Sequence, residues 1–510
     1  MKQKLYNIHK LIGINVALIF YISIFFGLLT IYKPYIHIWE SNGKHFGNIK
    51  IEDINLDKCI NKLITYKQEH LKKEDVITVL LPNINFTANN SIALLEKDGI
   101  DLNPYTCEEI PHKDFESSDF FEVLNYGGIG SIIFTLLVGF ASVAVLFLTI
   151  SGIFMIIKTK FPNKKTKSSK AFFAKYHRVL LLYTTPLIVM FALTGALFNL
   201  GVYTSPIITN YLTQGETSNI LSLEKNILRD KKLEVKKQNI KVPSKSYNTL
   251  YKKAKSEFDD ISFYKMEVYN YKDKNSRVKF IGYEPQTYFL SSVYNDTNIV
   301  LNSTNAQVIS KKLAKDGTFT EKFLDSVFYL HFLKTFNDLP RHIFILLSFF
   351  ILIGVVFALT LWLTRSKENT LSYKILRPLT FTIILGSILS TALLFASTWI
   401  IPAEYLAYQE QLFYISYLLL FIYIYIKNNL FKSAKFILFL SSLLFLSSVI
   451  SHQISTEYSV FRAYQENLNE VFIMDIALLV IALILFLSSV KLSNKYFDKY
   501  SSNKSKKRSN

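Results

Sequence analysis

The chain of 510 residues has only two cysteines, three tryptophans and five methionines, and its 39 acidic residues are outnumbered by 58 basic ones. Cys59 and Cys107 permit one bridge at most, too few for a disulfide framework, and no CxxC redox pair or haem-attachment sequence occurs. HExxH, GxSxG and a P-loop are also missing, so a hydrolase or an ATP-driven pump has no residues to work with. No GxGxxG follows a strand; "YGGIG" (Tyr126–Gly130) opens an apolar run instead, and a nicotinamide or flavin domain is not expected.

Charge is scarce inside the long apolar stretches. Half of the residues are hydrophobic and 15% are aromatic. Uncharged runs cover 11–32, 129–157, 179–203, 343–363, 379–401, 411–426 and 436–456, and 471–490 holds only Asp475. A hydrocarbon core about 30 Å thick takes about 20 residues of helix, so each run is span-sized, the sixth once Tyr405–Gln411 is added. The expected fold is a polytopic α-helical membrane protein of about eight transmembrane helices. The first run exceeds a signal peptide's apolar core and no small-x-small site follows, so it reads as a retained span.

Basic loops stay cytoplasmic. The segment Lys158–Lys175 has seven lysines and no acid, and the tail from Lys491 has seven basic residues and one acid. With eight spans these fall on one side with both termini, and the net charge of +19 needs no nucleic-acid partner. Two polar insertions, near 34–124 and 204–327, then face the other side, the periplasm of a bacterial inner membrane.

The chain repeats itself. His9 precedes Gly27 by eighteen residues and His177 precedes Gly195 by the same eighteen, each histidine followed by a basic residue, Lys10 or Arg178. On straight helices each histidine lies about 27 Å from its glycine, and both histidines sit at the cytoplasmic edge. "LNYGGIGS" (Leu124–Ser131) leads into span two as "LHFLKTFNDLPRH" (Leu330–His342) leads into span four, with Asn125 opposite His331. The insertions end alike, in "GIDLNPYTCEEI" (Gly99–Ile110) and "NIVLNSTNAQVI" (Asn298–Ile309), each preceded by a lysine-rich helical stretch, 56–73 or 247–258. Each insertion reads as a helix on a small antiparallel sheet. Spans five to eight lie outside the repeat.

These features, with the "LWLTR" exit of span four (Leu361–Arg365), resemble the PepSY-associated transmembrane family over residues 1–365. The resemblance implies an inner-membrane reductase for ferric siderophores, with haem b, one or two, and two small α+β PepSY-like domains in the periplasm. It also implies ligand histidines at the cytoplasmic ends of spans one and three and the periplasmic ends of spans two and four. His9, His177 and His331 match; Asn125 stands where the fourth is expected, and an amide is a poor ligand for haem iron.

A membrane-embedded b-type haem needs two neutral imidazoles facing across the macrocycle, usually from separate helices. His9 and His177 fit the inner site as iron ligands, and His331 fits the outer. Its partner could be His37, favoured because span one belongs to the core, or His342 or His452; His342 requires Pro340 to break the helix. Asp475 could orient His452, or simply sit at the headgroup level, and Arg341 and Arg365 could pair with propionates. The membrane lipid, a quinol or redox protein as electron donor and a periplasmic ferric siderophore or other metal complex are the expected partners. The rival readings are a non-redox anchored PepSY domain that binds a peptide or protease, and, less favoured, a transporter.

The expected division is transmembrane helix 1 (1–33), PepSY-like domain 1 (34–124), helix 2 (125–158), a basic cytoplasmic loop (159–175), helix 3 (176–203), PepSY-like domain 2 (204–327), helix 4 (328–365), a block of four helices (366–490) and a basic cytoplasmic tail (491–510).

Overall fold

A backbone in hydrocarbon must pair its own polar groups, so long uncharged runs fold as helices. The computed structural model describes residues 2–492, apart from 48, 72–75, 130, 158–168, 213, 216–232, 234, 292–294, 334–337 and 428. Most of the basic loop and nearly all of the basic tail lie outside the described residues. The main helices are α1 (Lys2–Ile31), α2 (Lys33–Trp39), α3 (Leu56–His70), α4 (Ser117–Tyr126), α5 (Ile132–Ile157), α6 (Ser169–Tyr183) and α7 (Thr185–Leu212). They continue with α8 (Tyr247–Ser256), α9 (Phe319–Phe332), α10 (Asp338–Arg365), α11 (Leu371–Ile400), α12 (Gln409–Ile426), α13 (Leu430–Thr456) and α14 (Asn469–Lys491).

Among the described residues, seven helices are long and apolar enough to cross a membrane: α1, α5 and α10 to α14, the α12 span extended by the turn before it. The third span is not the straight helix expected over 176–203. It is broken into α6 and α7, which meet at 70°. Pro186 is the cause: its nitrogen has no proton to give and its ring crowds the preceding turn. Thr184 sits at the joint, donating its N–H to Leu180 O (3.1 Å) and accepting from Ile188 N (3.0 Å). The straight-helix distance from His177 to Gly195 therefore does not hold. Counted as one span, the pair makes eight, and the chain is a multi-pass membrane protein.

The strands β1 (Val76–Leu80), β2 (Ile92–Leu94), β3 (Asp101–Leu102), β4 (Glu109–Ile110), β5 (Ser262–Tyr269), β6 (Arg277–Tyr283), β7 (Thr297–Asn302) and β8 (Val308–Lys312) build one antiparallel sheet. Its order is β4-β3-β2-β1-β5-β6-β7-β8, so the two insertions join through β1 and β5, with Thr78 opposite Glu267. Each half alone would present an open edge strand; pairing the two edges satisfies both backbones. Leu63 and Ile64 of α3 and Leu250 and Ala254 of α8 share one buried core with Met266 and Phe280 of the sheet.

The repeat is visible in detail. Asn103 and Asn302 each accept a hydrogen bond at the side-chain oxygen from the backbone N–H two residues on, Tyr105 or Thr304, both at 2.9 Å. Cys107 (φ 58°) and Ala306 (φ 62°) then close the two hairpins in the left-handed region. Cys59 and Cys107 are disulfide-bonded, tying α3 to the first of these hairpins.

The helices before spans two and four also match. α4 stops at Gly127 (φ 75°) and α9 at Leu333 (φ 50°). The break that separates His331 from His342 therefore falls at Leu333, ahead of Pro340, and the two histidines lie on different helices. Spans one to four pack through Leu18, Tyr21, Val145, Ile188, Ile351 and Val355. The last four helices join at α1, where the Tyr21 hydroxyl donates to Ile384 O (3.2 Å).

Candidate functional site

Two cavities run end to end through the first four spans, and Phe20 of α1 lines both. The larger, about 840 Å³, lies at the end of the bundle away from the sheet, here called the far side. His9 of α1 and His177 of α6 both line it, with aliphatic walls including Val145, Leu148 and Val355. The 70° bend does not prevent the meeting, because α6 packs along α10 and α1 packs along α5.

The hydrogen bonds anchor both rings at Nδ1. His177 Nδ1 lies 3.1 Å from Gly354 O; a carbonyl can only accept, so Nδ1 carries the proton and Nε2 keeps a bare lone pair. His9 Nδ1 lies 2.8 Å from the Ser151 hydroxyl, which leaves the other ring nitrogen without a hydrogen bond among the described residues. Such anchoring of one ring nitrogen orients the other as a metal ligand and raises its basicity. Gly354 is required by the packing: a Cβ there would fall 2.6 Å from Leu181 Cδ2. Lys10, Arg178 and Arg365 also line the cavity, and among the described residues none of them pairs with an acid. Arg365 Nη1 donates to Tyr6 OH at 3.0 Å and Arg178 Nε to Ala174 O at 2.9 Å.

The smaller cavity, about 240 Å³, lies toward the sheet, with His331 of α9 and Asn125 of α4 in its wall. His331 Nδ1 lies 2.7 Å from Thr194 Oγ1, so this ring too is anchored at Nδ1 by a hydroxyl. Asn125 accepts from Ser23 Oγ at its side-chain oxygen (3.3 Å) and its backbone oxygen (2.9 Å).

His37, His342 and His452 are not among the residues that line this cavity. His37 is held at Nδ1 by Glu116 Oε2 (3.0 Å) and at Nε2 by Lys44 Nζ (2.9 Å). His342 packs against Tyr32 and Tyr35, both at 6.0 Å between ring centres, and the buried Arg341 lies over Tyr35 at 5.6 Å. His452 Nδ1 lies 3.3 Å from Asp475 Oδ1, and both residues are buried. Asp475 is thus packed inside the protein beside His452.

His37, Glu40 and Glu116 bring ligand-capable atoms within 4.8 Å of one another. Glu40 is already engaged: it accepts from Ser117 N (2.8 Å) and Ser118 N (3.2 Å), capping α4. Burial would push the Glu116 carboxyl up, but its hydrogen bond to His37 and the charges of His37, Lys44 and Lys113 hold it at about 2. Burial raises Glu40, against the pull of Lys113. This is an ion cluster that balances itself.

Sequence patterns missed Ser151, Thr194 and Gly354, the groups that orient the rings. Small residues are common in membrane helices, and only packing shows which of them meets a histidine.

A multi-pass helical bundle carrying an α+β sheet domain, with histidine-lined cavities along its axis, defines the class. The model of the PepSY-associated TM region matches residues 6–365, and the chain belongs to that family. No curated protein matches the sequence.

Proposed function

We propose that the protein is a haem-containing inner-membrane oxidoreductase that passes electrons across the bilayer to a periplasmic acceptor, iron held by a siderophore. The observation that carries this is the pair His9 and His177 lining one cavity, each ring anchored at Nδ1.

The residues fit a b-type haem. A cavity of about 840 Å³ is within the range of ligand sites, roughly 300–1,000 Å³, and its walls are mostly apolar. His9 and His177 would be the axial ligands, held by Ser151 and Gly354, while Lys10, Arg178 and Arg365 would receive propionates at the mouth. When bound, the haem supplies a one-electron couple tuned by its two imidazoles.

The chain supplies no nucleotide domain among its described residues, so a quinol or a redox protein would be the donor. The disulfide Cys59–Cys107 favours an oxidising compartment for the sheet domain, which agrees with the lysine-rich loops on the opposite side. Ferrous iron is a weaker partner for hard oxygen donors than ferric iron, so reduction would release it.

Purified protein should show a reduced-minus-oxidised Soret and alpha band that disappears in His9→Ala and His177→Ala. Colourless, fully folded protein from haem-replete cells would sink the reading and favour an anchored binding domain.

A further inference from the structure

The repeated unit sets up two cavities, but only one has a complete ligand pair. On the far side, spans one and three each contribute an imidazole. On the sheet side, the equivalent positions of the lead-in helices are His331 and Asn125, and the structure brings both to one cavity wall. The glycines of the repeat show how closely the two halves correspond. A Cβ on Gly27 would fall 3.1 Å from Asn125 Oδ1, and a Cβ on Gly195 would fall 4.0 Å from His331 Cε1. Gly27 leaves room for Asn125, whereas the tightest neighbour of Gly195 is Ser142 Oγ, at 3.2 Å from its added Cβ.

We infer that this chain carries one haem, at His9 and His177, and that Asn125 closes the sheet-side cavity to a second. The inference rests on the function proposed above. Three observations support it. The sheet-side cavity, about 240 Å³, falls below the range of roughly 300–1,000 Å³ for ligand pockets, whereas the far-side cavity lies within it. Its only imidazole among the described residues is His331, and a carboxamide is not among the usual ligands of haem iron. No substitute lines the cavity: His37 lies beside Glu116 and Lys44, His342 packs against Tyr32 and Tyr35, and His452 is beside Asp475. Glu122, which also lines the cavity, accepts from Lys33 at 2.6 Å. Electrons bound for the sheet side would then pass Phe20, the residue common to both cavities, without a second relay.

The test is haem content per polypeptide in the purified full chain, by the pyridine haemochrome. The wild-type protein should carry one haem, and His331→Ala should leave that value unchanged. Asn125→His should double it, and adding His331→Ala to that variant should restore one. Two haems in the wild type, one of them lost in His331→Ala, would overturn the inference while leaving the proposed function intact. A folded Asn125→His protein still holding one haem would refute the role given to Asn125. No haem in the wild type would instead refute the function on which the inference rests.

Discussion

The indole of Trp39 donates to Asp475 Oδ1 at 2.8 Å, joining two positions 436 residues apart. Trp39, on α2 just after the first span, and Asp475, on the last, are both buried, and His452 and Trp399 pack against the same indole. This contact fastens the four helices that lie outside the family match to the repeated unit.

Removing the donor should leave a buried carboxylate short of a partner, which costs about 1–3 kcal/mol. Trp39→Phe should therefore lower the thermal unfolding temperature in detergent, and Asp475→Leu in the same chain should recover part of the loss. Equal stability of wild type and Trp39→Phe would show that the bond contributes nothing.

Stability should fall on the acid side. Burial, with His452 nearby, pushes the His45 imidazole from 6.5 down to about 3, against the hydrogen bonds it donates to the Trp39 and Ile38 carbonyls. The folded protein keeps this ring neutral while the unfolded chain protonates it, so its contribution is present above pH 6.5 and is lost as pH falls toward 3. Glu116, held down from 4.5 to about 2, adds a loss between those values. Melting curves should decline below pH 6.5, and His45→Phe should make the decline between 6.5 and 4.5 shallower. An unchanged profile in that variant would assign the acid loss to other groups.

Ser151 acts only through His9. Ser151→Ala should weaken haem binding by about 10–100-fold, the usual cost of losing a partner behind a ligating histidine, with little effect on folding. Ser151→Thr should restore binding. Titration of the haem-free protein with hemin reads both.

Gly354→Val should crowd Leu181, displace α6 and move His177. Overpacking of this kind costs about 1–3 kcal/mol. The melting temperature and the Soret band should fall together, and Leu181→Ala should rescue both. A rescue of stability without the Soret band would separate packing from ligand placement.

The number of spans, the duplication and the matching hairpins were legible in the sequence, because hydrophobic runs, fixed offsets and turn residues are local signals. His9, His177 and His331 stood out because ionisable residues at membrane depth are rare. The bend at Pro186 was also written there, yet the apolar run conceals it, since proline costs little hydropathy.

What the chain decided alone was periodic and local: apolar length, lysine asymmetry, the position of each ring along its helix. Only the folded molecule decided which rings share a cavity, that β1 meets β5, and that Asp475 faces Trp39. These depend on the azimuth and approach of helices far apart in sequence, and short-range patterns carry no record of what a side chain meets across a packed interface.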